Sequence, residues 1–332
     1  MGGSLERIIT ADEGKWMSKV FYMTNHQNKS HKLAKALIDA GWTRSGTAIH
    51  PSVKCALFDH DVEPGGIGFR PPLGELEKRG MPVMMFPHAA RPNLQWDGMY
   101  PVYPHTKVMF TSTEEHGEVM RRYGYPIPTE AIGWIFCDQK PFQKVEKEGK
   151  INVLFAPIHP NNNGFLHPID KAINASVYST LIMTPGIKVK VRHVKRADLN
   201  GLWHVSGVSW KLGKTEIEDA LADIDAADVV FGHQTLAYMA VARGRPLVMF
   251  GDQMVPRSGN DMKNMKFAKN YEKYRDLMKY PAEAENARCG PDMLKLIQRV
   301  ISKDVGKFWR ERMVGKPFDA GRFVGLVEKY SS

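Results

Sequence analysis

The sequence predicts an α/β protein made of two similar domains, each built on a parallel sheet, followed by C-terminal helices. The chain has 332 residues, a length that suits two domains of about 150 residues each. Apolar runs typical of buried strands alternate with amphipathic helical patterns, which favours parallel α/β layers. The alternation stops at the charged stretch KPFQKVEKEGK and then resumes, so we interpret residues 141–150 as a linker.

The first domain is expected to span residues 17–140, after an N-terminal extension of residues 1–16. Its predicted strands are KVFYMTN, KCALFDH, MPVMMFPH, KVMFTST and the short TEAIGWIFCDQ. Its predicted helices are HKLAKALIDAGW, GELEKRG and EEHGEVMRRYGY. One face of the first of these helices is apolar, formed by Leu33, Ala36, Leu37 and Ala40. Gly41 ends that helix, and Thr113 can cap the third helix.

The second domain, residues 151–315, repeats the alternation. Its predicted strands are INVLFAPIHP, IKVKVRHV, HVSGVSW, ADVVFG and LVMF. Its predicted helices are a stretch around Asp170–Met183, TEIEDALADIDAA and LAYMAVARG. The chain is expected to be helical from Met262 on, and a C-terminal helix in residues 316–332 is expected to pack back on the first domain. Ligands of open parallel sheets bind beyond the carboxyl ends of the strands, so two such domains facing each other would form a cleft there.

An anionic partner is the first inference from the charge, because the formal net charge is +10 and the pI is about 9.3. Nucleic acid, an acidic membrane surface and phosphorylated small molecules would all suit this charge. A solvated basic surface without a partner is the alternative, since the basic residues are spread along the chain rather than gathered in one block.

Cysteine usage and hydropathy set limits on the compartment. Cys55, Cys137 and Cys289 are far apart, which argues against a disulfide framework or a cysteine-bound metal and favours a reducing, cytoplasmic compartment. No apolar run approaches the roughly 20 residues of a membrane span. Residues 1–16 lack the layout of a signal peptide.

A polar turn between two buried strands is the first candidate site. The strand DVVFG is followed by Gly232, His233, Gln234 and Thr235, and the helix LAYMAVARG is expected to begin directly after them. The free N–H groups of a first helical turn, with the helix dipole behind them, form an anion site. The alternative is an ordinary strand–helix connection in which the polar residues only cap the helix.

This stretch resembles the nucleotide-sugar site of the GT-B glycosyltransferases and of their relatives, the UDP-N-acetylglucosamine 2-epimerases and the CDP-glycerol glycerophosphotransferases. The segments ADVV, GHQT, GRP and LVMF match the superfamily pattern in order. The helix of that pattern carries a Glu that often holds the donor ribose, and Met239 stands in its place here.

Three further segments match the superfamily in the same order. AIGWIFCDQ, with Gly133 and Asp138, resembles the segment that ends the first domain. NVLFAPIHPNNN resembles the strand and loop that open the second. KPFDAGRFVGLVEKY resembles the closing helix, with Pro317, Asp319 and Gly321 in place. The resemblance covers nearly the whole chain from Lys19 and implies two Rossmann-like domains with parallel sheets facing across a cleft.

The resemblance implies a nucleotide diphosphate-sugar as donor substrate, with no essential cofactor and no metal. The DHD triplet at Asp59–Asp61 is weak evidence for a metal site. The donor diphosphate would lie on Gly232, His233, Gln234 and Thr235, with His159 opposite. Residues expected to line the donor and acceptor cleft are Asn25, His26, Arg91, Asp97, Gly133, Asn161 and His193.

His88 is the candidate catalytic base, because it follows an apolar strand and resembles the His of the HGTPLK segment of the CDP-glycerol enzymes. A neutral imidazole there could take a proton from an acceptor hydroxyl. The alternative is a His with a structural hydrogen bond. Epimerase activity is not expected, because the segment PHAARP lacks the catalytic Glu of that family and no carboxylate follows until Asp97.

The predicted function is transfer of a sugar from the nucleotide donor to a hydroxyl acceptor. A basic chain favours DNA with hydroxymethylated bases, as in phage DNA glycosyltransferases, or a cell-envelope glycan or CDP-glycerol-type polyol-phosphate acceptor. A small-molecule acceptor stays open. The rival interpretation is a protein that binds nucleotide or nucleic acid without turnover, for which the Met239 substitution is the main support.

Overall fold

A computed structural model describes residues 19–23, 31–45, 49–59, 73–86, 105–122, 127–146, 149–157, 168–192, 217–232, 234–249, 293–304, 306–307 and 310–332. The chain divides into two compact units. Unit 1 consists of Met1–Phe136 together with Gly315–Ser332, and unit 2 is Cys137–Val314.

Unit 1 is built on a parallel sheet of six described strands in the order β2-β1-β3-β4-β5-β6. The strands are β1 (Val20–Met23), β2 (Thr43–Arg44), β3 (Val53–Asp59), β4 (Val83–Phe86), β5 (Thr106–Thr111) and β6 (Thr129–Ala131). Every residue of β1 and β4 is buried. A parallel sheet covered on both faces requires such continuous apolar strands, which is why the sequence indicates them. The two-residue edge strand β2 was not predicted.

The helices of unit 1 lie close to their predicted positions. They are α1 (His31–Asp39), α2 (Leu73–Lys78) and α3 (Glu114–Arg122). Gly41 follows α1 with a φ of 86°, a conformation that favours glycine after a helix. The Thr113 hydroxyl accepts the His116 N–H at 3.0 Å, so Thr113 caps α3 as expected. Ala40 was wrongly placed on the buried face of α1: it follows the helix end and is exposed, while Ala34 is buried.

The C-terminal helix α8 (Ala320–Ser331) belongs to unit 1. Asp319 caps it by accepting the Arg322 N–H at 2.8 Å. Phe323 is fully buried and packs edge to face on Phe110 of β5, with ring centroids 5.2 Å apart. Lys19, the residue before β1, forms an ion pair with Glu328 of α8 at 2.6 Å. The helix is therefore part of the core of the unit that contains the N-terminal strands.

Unit 2 is built on a parallel sheet of four described strands in the order β10-β9-β7-β8. The strands are β7 (Ile151–Phe155), β8 (Ile187–Val191), β9 (Val229–Gly232) and β10 (Leu247–Met249). The helices are α4 (Pro168–Met183), α5 (Ile217–Ala226), α6 (Gln234–Ala242) and α7 (Met293–Ser302), with a π-helical turn at Arg310–Val314. α4 and α7 bury their apolar residues against β7, β9 and β10 in one core. HVSGVSW and the chain from Met262 to Pro291 lie outside the described residues.

The segment that we interpreted as a linker is hydrogen-bonded to unit 2, and the units divide between Phe136 and Cys137. Lys140 N–H donates to the Ala242 carbonyl at 2.8 Å, and Gln143 N–H donates to the Gly244 carbonyl at 2.8 Å. Val145 N–H reaches the Ile301 carbonyl at 3.1 Å. The charged side chains of this segment indicated that it is exposed. The segment is attached to unit 2 by hydrogen bonds of its main chain, and amino-acid composition does not predict such bonds.

Candidate functional site

Three neighbouring strands of the unit 2 sheet end at the same edge. Phe155 of β7 pairs with Val191 of β8 and with Phe231 of β9. One residue further, Ala156 N–H donates to the Phe231 carbonyl at 2.8 Å, and Arg192 N–H donates to the Phe155 carbonyl at 2.9 Å. The carboxyl ends of these three strands therefore lie side by side. The predicted site residues His159, Asn161, His193 and His233 follow these ends in the sequence and lie outside the described residues.

Gly232 ends β9 at this edge, and helix α6 begins two residues later at Gln234. A Cβ on Gly232 would lie 3.1 Å from the Cδ2 atom of Leu236, so a larger residue would press on the start of the helix. We expected the helix to begin after Thr235, but Gln234 and Thr235 form its first turn. Main-chain N–H groups of a first turn have no partner within the helix, and together with the helix dipole they can bind a phosphate.

Helix α6 is buried on nearly all sides. Every residue from Ala237 to Ala242 is buried, and Met239 is only 4% exposed. A helix surrounded by protein is apolar all round, which explains its sequence. Met239 is therefore a core residue in this chain. A carboxylate at its position would be buried and would need a partner of opposite charge.

A partly buried ion pair lies at the carboxyl end of β8, and sequence reasoning missed its partner. The Arg192 Nη1 atom lies 2.5 Å from one carboxylate oxygen of Asp223 on α5, and Lys190 Nζ lies 2.6 Å from the other. The Arg192 side chain is 10% exposed. Two described cations, Lys190 and Arg192, therefore share the single carboxylate of Asp223. Lys190 and Arg192 are two positions apart, so their side chains lie on the same face of the sheet. This spacing is the feature of the sequence that could have indicated the ion pair.

A second ion-pair cluster lies at the opposite, amino edge of the same sheet. Arg243 binds both carboxylate oxygens of Asp225, and Lys140 Nζ lies 3.0 Å from the same carboxylate. Hydrogen bonding from Arg243 is the main cause that lowers the pKa of Asp225. Arg243 also donates to the carbonyl of Asp138 at 3.1 Å. Asp138 therefore contributes its main-chain carbonyl to this structural cluster.

The predicted site residues of unit 1 are largely beyond the described chain. His88, Arg91, Asp97, Asn25 and His26 all lie outside it. The strands that precede them are described: Met23 pairs with Leu57, and Asp59 pairs with Phe86. β1, β3 and β4 therefore end at one edge. The segments that carry His26 and His88 leave the sheet from that edge.

Gly133 lies among the described residues, where it allows two segments of the main chain to pack closely. Its φ is 82°, and a Cβ there would lie 2.1 Å from the carbonyl oxygen of Pro317. Trp134 N–H donates to the Lys316 carbonyl at 2.9 Å, so the two chain segments cross in direct contact. Gly133 and Pro317 are therefore in contact where the chain returns to unit 1. That Gly133 also contacts a ligand stays a prediction.

His116 is a buried histidine that sequence reasoning did not single out. It lies in the first turn of α3, and its Nδ1 atom is 3.4 Å from the Ser112 hydroxyl. Burial lowers the pKa of His116 to about 4. The imidazole is therefore neutral at physiological pH. Its buried position inside unit 1 gives it a structural role.

The described residues contain neither a metal-binding cluster nor a membrane-spanning helix. No three His, Cys, Asp or Glu side chains in this part of the chain gather closely enough to hold a metal ion. No helix in the same ranges combines the length and the apolar character needed to cross a membrane.

Comparison with solved structures identifies the fold. A protein from Listeria monocytogenes described as a UDP-N-acetylglucosamine 2-epimerase aligns with a TM-score of 0.58 and 10% identity, over 95% of this chain and 97% of that chain. The kitacinnamycin glycosyltransferase aligns at 0.51 and 10% identity, over 94% and 98%. The UDP-GlcNAc 2-epimerase of Neisseria meningitidis, solved with UDP-GlcNAc, aligns at 0.51 and 9% identity, over 93% and 98%.

Comparison of the sequence finds no match: neither a family model nor a curated protein matches the chain. The structural likeness nevertheless extends over both units and over nearly the full length of the aligned proteins. The predicted fold class is thereby confirmed, and the chain has the two-domain, Rossmann-like GT-B fold.

Proposed function

We propose that this protein is a cytoplasmic glycosyltransferase that moves a sugar from a nucleotide diphosphate to an acceptor hydroxyl. One observation carries the proposal: β7, β8 and β9 end side by side, and α6 begins two residues after Gly232, the last residue of β9. This arrangement provides first-turn N–H groups for a diphosphate, and two cations that share the Asp223 carboxylate, Arg192 and Lys190, belong to the end of β8 on the other side of β7. Transfer is favoured over epimerisation because PHAARP lacks the carboxylate that the epimerase segment carries.

The proposed reaction is a displacement at the anomeric carbon of the donor sugar. His88 takes the proton of the acceptor hydroxyl, whose oxygen forms a bond to that carbon while the bond to the diphosphate breaks. The N–H groups of Gln234 and Thr235, with His233 and His159, stabilise the charge of the leaving diphosphate. Fixed donors of this kind make a metal ion unnecessary for this step.

The acceptor is proposed from charge. DNA with hydroxymethylated bases is the first candidate, because the net charge of +10 suits a polyanion. A cell-envelope glycan or a CDP-glycerol-type polyol phosphate is the second. In the proposed site, Asn25, His26, Arg91, Asp97, Gly133, Asn161 and His193 contact the donor or the acceptor.

Binding without turnover is the competing proposal, and the buried Met239 favours it. The superfamily Glu that often holds the donor ribose is replaced by a core residue that is 4% exposed. A donor bound without this contact would be held mainly through its diphosphate. Such a site could retain nucleotide without aligning the sugar for transfer.

The experiment that separates the two proposals measures transfer and binding with the same variant. His88→Ala should abolish release of nucleoside diphosphate from the donor while leaving nucleotide affinity within about threefold, because a base acts only on the acceptor. His50→Ala, an exposed histidine of unit 1, is the matched control and should transfer normally. The binding proposal would be favoured if the unaltered protein binds a nucleotide but transfers no sugar from UDP, CDP, GDP or dTDP conjugates to either class of acceptor.

A further inference from the structure

The chain passes between its two units twice, at Phe136–Cys137 and at Val314–Gly315. On the unit 2 side, both connections are attached to the same helix. That helix is α6, whose first turn is the proposed diphosphate site. A second role for this helix, as a link between the nucleotide and the connections, therefore rests on the proposed function.

The first connection is bound to the end of α6 by its main chain. We call residues 138–145, which begin just after the boundary between the units, the strap. Lys140 N–H donates to the Ala242 carbonyl at 2.8 Å, and Gln143 N–H donates to the Gly244 carbonyl at 2.8 Å. Ala242 is the last residue of α6, and the last carbonyls of a helix have no partner within it. The strap therefore supplies hydrogen bonds that the end of α6 requires.

The Arg243 side chain is a second attachment between the strap and the helix. Its guanidinium donates to the Asp138 carbonyl at 3.1 Å and also binds the Asp225 carboxylate, which Lys140 Nζ contacts at 3.0 Å. Arg243 is buried, whereas no residue of the strap is. A surface segment held by a few such bonds opens locally at a lower cost in free energy than the core does. Docking of the strap is therefore an equilibrium that a ligand can shift.

The second connection also lies against α6. Gly306 packs so closely on the helix that a Cβ there would lie 3.3 Å from the Cγ2 atom of Val241. The π-helical turn Arg310–Val314 that follows contacts α6 as well. Val314, the last residue before the chain returns to unit 1, is fully buried. Both connections thus depend on the position of one helix.

We propose that α6 couples nucleotide binding at its first turn to docking of the strap at its last turn. The helix has 9 residues and is about 13 Å long. It is buried on nearly all sides, and a close-packed helix is not displaced at one end alone. A diphosphate that fixes the start of α6 therefore also fixes the carbonyls that the strap binds. Linkage is reciprocal, so undocking of the strap lowers the affinity for nucleotide by the same factor.

Amide hydrogen exchange of the full chain, measured with and without nucleotide, tests this coupling. The nucleotide is whichever of UDP, CDP, GDP and dTDP stabilises the protein most in thermal unfolding. At saturation, the Lys140 and Gln143 amides should exchange about fivefold more slowly. The control is Thr184 N–H, which donates to the Leu181 carbonyl at 3.3 Å at the end of α4. Its exchange should not change, because this bond does not involve α6.

A pair of proline variants tests the reciprocal effect. Gln143→Pro removes the N–H that binds Gly244 and should lower the affinity for nucleotide about fivefold. Lys144→Pro is the matched control in the same strap, because Lys144 N–H makes no main-chain hydrogen bond within the described ranges. It should bind nucleotide as the unaltered protein does.

The coupling is overturned if a nucleotide binds while the Lys140 and Gln143 amides exchange at an unchanged rate, or if Thr184 slows as much as they do. Equal nucleotide affinity of Gln143→Pro and the unaltered protein would also overturn it. These outcomes leave the proposed reaction intact. A lack of any thermal shift with all four nucleotides would instead overturn the proposed function, and the coupling with it. The exchange measurement needs no variant, so it decides the question even where Gln143→Pro does not fold.

Discussion

The carbonyl oxygen of Pro141 lies 1.9 Å from the point that a Cβ on Gly244 would occupy. Gly244 also has a φ of 68°, in the left-handed region, at the end of α6. Only glycine therefore allows the segment after Cys137 to pack on the turn between α6 and β10. Gly244→Ala should destabilise unit 2 by about 2–5 kcal/mol, through backbone strain and overpacking together. Urea denaturation followed by circular dichroism measures this loss.

A substitution at Gly186 separates the cost of backbone strain from the cost of overpacking. Its φ is 79°, and a Cβ there would meet nothing within 4 Å. Gly186→Ala should therefore show the backbone cost alone, about 1–2 kcal/mol. Equal losses in Gly186→Ala and Gly244→Ala would mean that the contact with Pro141 does not contribute.

Asp225 is expected to stabilise unit 2 at neutral pH. Its carboxylate binds Arg243 and Lys140 and is 27% exposed. Asp225→Asn should cost about 2–4 kcal/mol at pH 7, because the buried Arg243 loses its counter-charge. Asp39→Asn, in the exposed pair with Lys35, is the control and should cost under about 0.5 kcal/mol.

The Asp225 contribution should also depend on pH. Hydrogen bonding from Arg243 lowers the folded-state pKa of Asp225 below its ordinary value of 3.8. The stabilisation is therefore fully present above pH 3.8 and is lost as the pH falls through the lowered pKa. The gap in stability between the unaltered protein and Asp225→Asn should narrow only in that acid range. A gap that closes already between pH 7 and 5 would contradict this assignment.

His116 should make unit 1 sensitive to mild acid. Its pKa falls from 6.5 to about 4 on folding, because burial disfavours the charged imidazole. The unfolded chain therefore binds an extra proton below pH 6.5, and stability should decline by about 3 kcal/mol between that pH and 4. His116→Gln should remove this part of the decline, whereas His50→Gln, at an exposed site, should retain it. Chemical denaturation at a series of pH values measures the difference.

Phe323 should anchor the C-terminal helix to the core of unit 1. It is fully buried against Phe110 and Phe318. Phe323→Ala should destabilise unit 1 by about 3–5 kcal/mol, the usual cost of a cavity left by a buried aromatic ring. The neighbouring Val324 is half-buried, and Val324→Ala should cost clearly less. Similar losses in the two variants, measured by thermal unfolding, would show that α8 is not held by this contact.

The sheets could be predicted because each buried parallel strand is recognisable from its own short stretch of sequence. Strands such as β1, β4 and β9 are continuous apolar runs, each fully buried, and the helices between them show the expected periodicity. The helix cap at Thr113 is equally local, since a hydroxyl three residues before an N–H can reach it.

Long-range pairs could not be predicted from the same patterns. Arg243 and Asp225 are 18 residues apart and meet only because α5 and α6 pack together. Arg192 and Asp223, 31 residues apart, meet across β8 and α5. The role of Gly244 depends on Pro141, which lies more than a hundred residues earlier in a segment whose composition indicated a linker. The ends of the strands that precede the candidate site residues could be predicted, and the roles of those site residues stay predictions.

Thermal unfolding in the presence of nucleotides tests the central claim most directly. The panel should contain UDP, CDP, GDP, dTDP, their sugar conjugates and CDP-glycerol, with duplex DNA as a separate ligand. One nucleotide diphosphate at a hundred times its dissociation constant should stabilise the protein by about 2.7 kcal/mol. Gln234→Pro should weaken that shift, because proline fits the first position of α6 but removes its N–H, whereas Gln234→Ala should not. No shift with any nucleotide, and a salt-sensitive shift with DNA alone, would contradict the account.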